Sequence, residues 1–320
     1  MKKIVFFALI LLGAAACTRE PRPALSDTRV TDLKILITPG EEQNTFLLQS
    51  NRTDVICFWN LGNGNSASGV NSVLAKYPFP GVYTITLKAY GDAGATNEVS
   101  VNLPVTTENL YLLSDPIYEM VAGKIGGPGK TWKFDDARDG HIVLLNPNNL
   151  GDVWWTAGAG SKNGCDMYDD RITFYLNGER GQGVDYVNNG ASCAMNNATA
   201  IAEFTGDGAW QATGYHQAAT NDYIIDSTPP SGMGWSLMEN AGRYYITFPG
   251  TAAGNGAYLF YFTGWQTQYE IRAISDTHMK VFAWANLAGA VSLRQYILCT
   301  EDTVSGNEEI EWTWTQNSTL

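Results

Sequence analysis

Residues 83–90 read YTITLKAY, and this short run sets the fold class. Tyr83, Ile85, Leu87 and Ala89 alternate with Thr84, Thr86, Lys88 and Tyr90, and successive side chains on a strand point to opposite faces. One face is therefore buried and the other wet. Around it, DLKILITPG, TFLLQ, DVICFWNLGNGN and NEVSVNLPV are further short strand candidates, separated by turn residues. The composition agrees. The 320 residues include 33 Gly, 16 Tyr and 10 Trp, and only 16% are charged, which favours strands joined by turns over helices. The expectation is an all-β protein.

Upstream, MKKIVFFALILLGAAAC has a basic start at Lys2 and Lys3, an apolar run and small residues before Cys17. That is an export signal over residues 1–16, too short for a permanent membrane span. Its GAAAC ending resembles the lipobox of bacterial lipoproteins, which implies that Cys17 becomes the lipidated first residue. Residues 17–29, with two prolines in TREPRP and no periodicity, read as a flexible tether.

Over residues 30–104, FWNLGNGN followed by YPFPGVYTITLKAY resembles the signature of PKD domains, which are Ig-like β-sandwiches. Trp59, Gly62, Gly64, Tyr77, Pro80, Gly81, Tyr83 and Leu87 fall at matching places, with Asn60 and Asn63 where aspartates are usual. The resemblance implies a spacer domain with Trp59 in its core. From residue 105 to 320, about ten further strand candidates run without convincing helices, which implies two packed sheets and a jelly-roll-like sandwich.

The net charge of −12 sets nucleic acid and other polyanions against net repulsion, and no basic run offsets it. A neutral ligand fits better. His141, His216 and His278 are far apart, and no HExxH, GxSxG or P-loop string occurs. A glycoside hydrolase or polysaccharide lyase on the sandwich is the catalytic alternative, with acids drawn from Asp135, Asp136, Asp169, Asp170 or Glu179. KFDDARDG (Asp135, Asp136, Asp139) and CDMYDD (Asp166, Asp169, Asp170) also offer oxygens to a structural calcium, although neither has EF-hand spacing. Cys165 and Cys193, both in Gly/Asn-rich loop sequence, are the expected disulfide, while Cys57 and Cys299 sit in apolar runs and read as buried thiols.

Tryptophan is the richest signal. Trp132, Trp284, Trp312 and Trp314 lie in alternating strands and read as core. Trp154 and Trp155 in DVWWTA must divide between two faces, one inward and one outward. Trp210, Trp235 and Trp265, flanked by glycine and small polar residues, read equally as ligand contacts or as loop packing, and so does Tyr168. An exposed indole suits the apolar face of a pyranose, while polar neighbours bond the hydroxyl rim.

As a whole, GGPGKTWKFDDARDGHIVLL, DVWWTAGAGSKNGCDMYDDRITFYLNG and YEIRAISDTHMKVFAWA resemble PKD-containing surface glycan-binding lipoproteins of polysaccharide-utilisation systems. That resemblance implies non-catalytic capture of a neutral glycan, often a β-glucan, at the outer membrane beside a glycan transporter. An envelope protein-interaction component is the third reading. CTREPRP carries only Glu20 where several such proteins have an acidic cluster, which leaves the periplasmic face as an alternative to outward display.

Overall fold

The computed structural model describes residues 30–91, 96–240, 242–249, 255–266, 268–287 and 290–316. The export signal, the tether and Cys17 lie outside the described residues. The protein is nearly all β, as its alternating runs require, and folds as two docked sandwiches with separate cores.

The first sandwich pairs a three-stranded sheet (Ile35–Pro39, Thr45–Ser50, Ser72–Lys76) with a four-stranded one (Ile56–Asn60, Ser66–Ser68, Gly81–Tyr90, Thr96–Val105). Ile85, Leu87 and Ala89 are fully buried, and Trp59 closes the core with its indole Nε1 donating to the Val70 carbonyl at 2.9 Å. The NLGNGN turn keeps its shape through Asn60 Oδ1, which accepts from Gly62 N at 2.9 Å, and Asn63 Oδ1, which accepts from Asn65 N at 3.1 Å. Gly62 has φ +74°, and a Cβ there would meet the Thr84 carbonyl oxygen at 2.6 Å, so only glycine fits.

A short linker carries the chain across. It holds a 3-10 turn, Leu110–Leu113, and a helix, Pro116–Ala122, capped by Asp115 Oδ1, which accepts from Ile117 N at 3.0 Å. This helix and a second one, Ala198–Thr205, are the departures from the strand-only expectation. Each is a single packed face on the core rather than a long periodic segment.

The second sandwich sets a twelve-stranded antiparallel sheet against a four-stranded sheet formed by Gly214–Gln217, Tyr223–Asp226, Ala191–Ala194 and Tyr261–Phe262. The large sheet is centred on the hairpin of His278–Leu287 with Ala290–Thr300. Trp132, Phe134, Tyr258, Tyr269 and Tyr296 are buried in the core of this sandwich. Trp132 anchors its indole on the Val121 carbonyl at 2.8 Å. Phe79 of the first sandwich inserts into this same core, and Ser236 Oγ donates to the Gly64 carbonyl at 3.1 Å, so the two sandwiches are docked. Cys165 and Cys193 form a disulfide with Cα atoms 5.5 Å apart. Cys57 and Cys299 are buried free thiols, and burial pushes the Cys299 thiol up to about 12. Among the described residues no helix is long and apolar enough to cross a membrane.

Candidate ligand-binding surface

Among the described residues, the strand Asn149–Thr156 lies at the edge of the large sheet and pairs only with Ile142–Asn146. Val153 lies opposite Leu145 and Trp155 opposite Leu144, so two steps on the edge strand match one on its partner. Trp154 is the extra residue of a β-bulge, which breaks the alternation of faces. The two tryptophans therefore do not divide between core and solvent as DVWWTA predicts. Trp154 is 50% exposed and Trp155 is 42% exposed.

Trp155 has a built polar neighbourhood. The Lys162 ammonium stands 5.3 Å from its ring centroid and 5.2 Å from that of Tyr261. The same ammonium pairs with Asp222 Oδ2 at 2.5 Å, and Tyr261 OH donates to Asp222 Oδ1 at 2.7 Å. Burial, with Asp222 beside it, pushes the Tyr261 phenol well above its ordinary range. The disulfide lies directly beneath, since both Sγ atoms and an Asp222 carboxylate oxygen fall within 4.8 Å of one another. It ties the loop carrying Lys162 to the Ala191–Ala194 strand, whose Cys193 pairs with Tyr261. With both sulfurs oxidised, this trio is not a thiolate metal site. Trp154 bonds Asp152 Oδ2 through its indole nitrogen at 3.3 Å, and the same oxygen accepts from Asn146 Nδ2 at 3.0 Å.

Trp284 is a second correction. The run MKVFAWA places Met279, Val281 and Ala283 in the core, which leaves Lys280, Phe282 and Trp284 on the outer face. Trp284 is 41% exposed. It shares a row with Leu293, Leu145 and Val153, about 14 Å across at ordinary strand spacing. Trp155 belongs to the opposite face, in the row of Leu144 and Arg294. The edge strand thus separates two aromatic platforms.

The remaining aromatic expectations go the other way. Trp210 and Trp235 are fully buried and closed to any ligand. Trp210 donates to the Gly256 carbonyl at 2.8 Å and packs on Tyr186, Phe204 and Tyr258. Trp235 donates to the Tyr175 carbonyl at 3.1 Å and packs edge-on to Phe174. Trp265 is half-buried, stacked on Phe204 with its indole on the Glu203 carbonyl. Tyr168 is half-buried, with its hydroxyl between His141 Nε2 at 2.6 Å and Lys162 N at 3.1 Å. Trp312 and Trp314, expected in the core, are half-buried at its margin, where Lys280 covers Trp312 and Tyr244 meets Trp314.

The aspartates do not assemble a cation site. Asp135 is fully buried and saturated by Ser305 Oγ at 2.6 Å, Gly306 N at 3.0 Å and Arg138. Asp139 accepts from Ala159 N and Asn307 Nδ2, and Asp169 from Asn189 Nδ2. Asp170 is buried, takes a hydrogen bond from Tyr186 OH at 3.0 Å, and has its other oxygen without a partner. Burial pushes its carboxyl well above the usual carboxylate range. Among the described residues, none of Asp135, Asp136, Asp139, Asp166, Asp169 or Asp170 joins a cluster of three metal-ligating side chains. Glu179 is exposed in a shallow depression with Tyr175 and Arg180, and none of those aspartates borders it. A crevice bordered by both sandwiches is lined by none of Trp154, Trp155 and Trp284.

No protein family and no curated protein matches the chain. Among solved structures it is similar to the PKD1 domain of Vibrio anguillarum Epp, at 22% identity over 23% of this chain and 92% of that one, with a TM-score of 0.21. The PKD1 domain of the Vibrio cholerae metalloprotease PrtV gives 20% identity over 23% and 95%, also at 0.21. A structure described as carbohydrate-binding modules from the β-sandwich superfamily gives 10% identity over 87% and 92%, at 0.21. Likenesses this distant say nothing of ligand or activity.

Proposed function

We propose that the protein binds a neutral polysaccharide or oligosaccharide, without chemically altering it, on the shelf formed by Trp154 and Trp155. One observation carries this reading: two adjacent indoles stand half-exposed on a bulged edge strand, and one of them is bordered by the fixed Lys162–Asp222–Tyr261 group. Lys162 covers one face of the Trp155 ring, and a pyranose laid on the other face meets an apolar surface held in place by the Lys162–Asp222–Tyr261 group. Each stacked ring contributes about 1.5–3 kcal/mol, so two contribute about 3–6 kcal/mol, which corresponds to binding in the millimolar to tens-of-micromolar range. The net charge of −12 favours a neutral sugar over an anionic one, and a β-glucan is the glycan we would test first.

The free edge of the same strand is also what a protein partner would pair with. The bulge at Trp154 interrupts the regular ladder such pairing needs, which favours the glycan. In the same proposal Cys17 carries a lipid, the protein sits on the outer membrane, and the captured glycan passes to a neighbouring transporter. Affinity electrophoresis against a panel of soluble glycans tests the binding. Retardation by at least one neutral glycan, lost in Trp154→Ala/Trp155→Ala, is expected, and no retardation across the panel overturns it. Mass spectrometry of the mature N-terminal peptide tests the anchor, where an unacylated Cys17 would overturn it.

A further inference from the structure

We infer that the crevice between the two sandwiches is a second saccharide subsite, so that the first sandwich supplies a wall of the binding apparatus and not merely a spacer. The inference rests on the glycan reading above, but on different residues. The crevice has a volume of about 620 Å³ and is bordered by both sandwiches and by the linker between them. That is the size and placement at which ligand sites occur most often in folded proteins.

Its lining has the chemistry of a hydroxyl-binding site. Gln182 is held by its backbone, whose carbonyl accepts from Trp235 N at 2.9 Å, while its side-chain Nε2 is sealed from water without any partner. Unmet buried donors are disfavoured and rare. Gln182 also lines the crevice, so a turn of this amide toward it would give the unmet donor a ligand oxygen. Tyr111, 73% exposed on the linker, lines the same crevice and offers a ring for stacking. Tyr244 forms a fixed wall, since its hydroxyl is committed to Asp115 and its ring meets Trp314 edge-on at 5.5 Å. Acidic groups (Glu42, Asp115, Glu239) outnumber the single cation, Lys76, along the lining, which disfavours an anionic ligand and suits a neutral polyol. Because the sandwiches are docked through Phe79 and Ser236, the crevice and the Trp154–Trp155 shelf belong to one body. A glycan long enough to reach both sites gains avidity over a short one.

The test uses the full mature chain and a panel of neutral gluco-, manno-, xylo- and galacto-hexaoses in calorimetric titration. Two binding steps are expected for the parent with the matching sugar. Trp154→Ala/Trp155→Ala removes one step. Tyr111→Ala/Gln182→Ala weakens the other about tenfold, and sugar-induced hydrogen-exchange protection over Leu110–Leu113 disappears with it. A single step that the Tyr111/Gln182 variant leaves unchanged overturns the crevice subsite while the shelf stands. One step lost only in the Tyr111/Gln182 variant supports the crevice and overturns the shelf, and no binding by the parent overturns both.

Discussion

Trp210 and Trp235 satisfy their indole N–H groups on backbone carbonyls deep between the sheets, whereas Trp154, at the edge strand, turns its own to an exposed carboxylate. Both regions are rich in glycine, and glycine acts differently in each. At Gly256 a Cβ would meet the Pro249 carbonyl oxygen at 2.4 Å, and the bare backbone lets the Gly256 carbonyl reach Trp210. Gly234, next to Trp235, pairs with Gly183 at the outer end of the large sheet. Glycine here brings backbone close to an indole and seals it. On the edge strand, exposure comes from a β-bulge with no further strand beyond it among the described residues. A tryptophan among small residues is therefore closed when those residues admit another chain segment to cover it, as at Trp235 beside a terminal strand, and open where a bulged edge leaves it uncovered.

The largest expected effect breaks the buried side of this contrast. Trp210→Ala removes a ring packed on Tyr186, Phe204 and Tyr258 and lowers stability by about 3–5 kcal/mol. Urea denaturation measures it, and a loss below about 1 kcal/mol would mean that the ring is not core. Next is Cys165→Ser/Cys193→Ser, which opens a bridge spanning 28 residues and lowers stability by about 2–4 kcal/mol. Because that bridge underlies Lys162, Asp222 and Tyr261, glycan retardation by the still-folded variant also weakens. Unchanged retardation would separate the rim from the shelf.

A smaller change sharpens the exposed side. Trp155→Ala lowers glycan affinity by about 10–100-fold, the equivalent of one stacked ring, with a stability change under about 1 kcal/mol. Calorimetry and urea denaturation on the same preparation give both numbers. A large stability loss with intact affinity would reverse the roles assigned to the two regions.

Much of this architecture was readable from residue order alone. YTITLKAY put Ile85, Leu87 and Ala89 on one face because nothing interrupts the pairing of that strand with Thr96–Val105 along all ten positions. The pair Cys165 and Cys193 followed from loop composition. The site was less legible, because it depends on where pairing slips. Nothing in DVWWTA announces a bulge, so both tryptophans being open was unreadable. In MKVFAWA the alternation itself does not say which set is inward: Met279, Val281 and Ala283 take the core face, which leaves Trp284 outside. Burial of Trp210 and Trp235 depends on carbonyls 46 and 60 residues away in sequence, beyond any local pattern. The interdomain crevice needs two sandwiches and a linker to exist at all.

The smallest effect appears only when pH is varied, and it again opposes interior to edge. Asp170 lies against Tyr186, which packs on Trp210, and burial holds its carboxyl protonated well above the ordinary value, which is about 3.9 in an unfolded chain. Between those two values the folded state keeps a proton that the unfolded state has released. Asp170 therefore contributes fully below the ordinary carboxylate range, and its contribution is lost as pH rises through its folded pKa. Asp170→Asn retains an acceptor for Tyr186 but cannot ionise. Urea denaturation from pH 4 to pH 8 should show parent and variant close together at the acid end, with the parent falling progressively below the variant as pH rises. Parallel curves would mean that Asp170 ionises in the folded protein at little expense, and hence that water reaches the wall of aromatic rings around Trp210. In that case the boundary between a sealed interior and an open edge, on which the choice of Trp154 and Trp155 depends, would have to be redrawn.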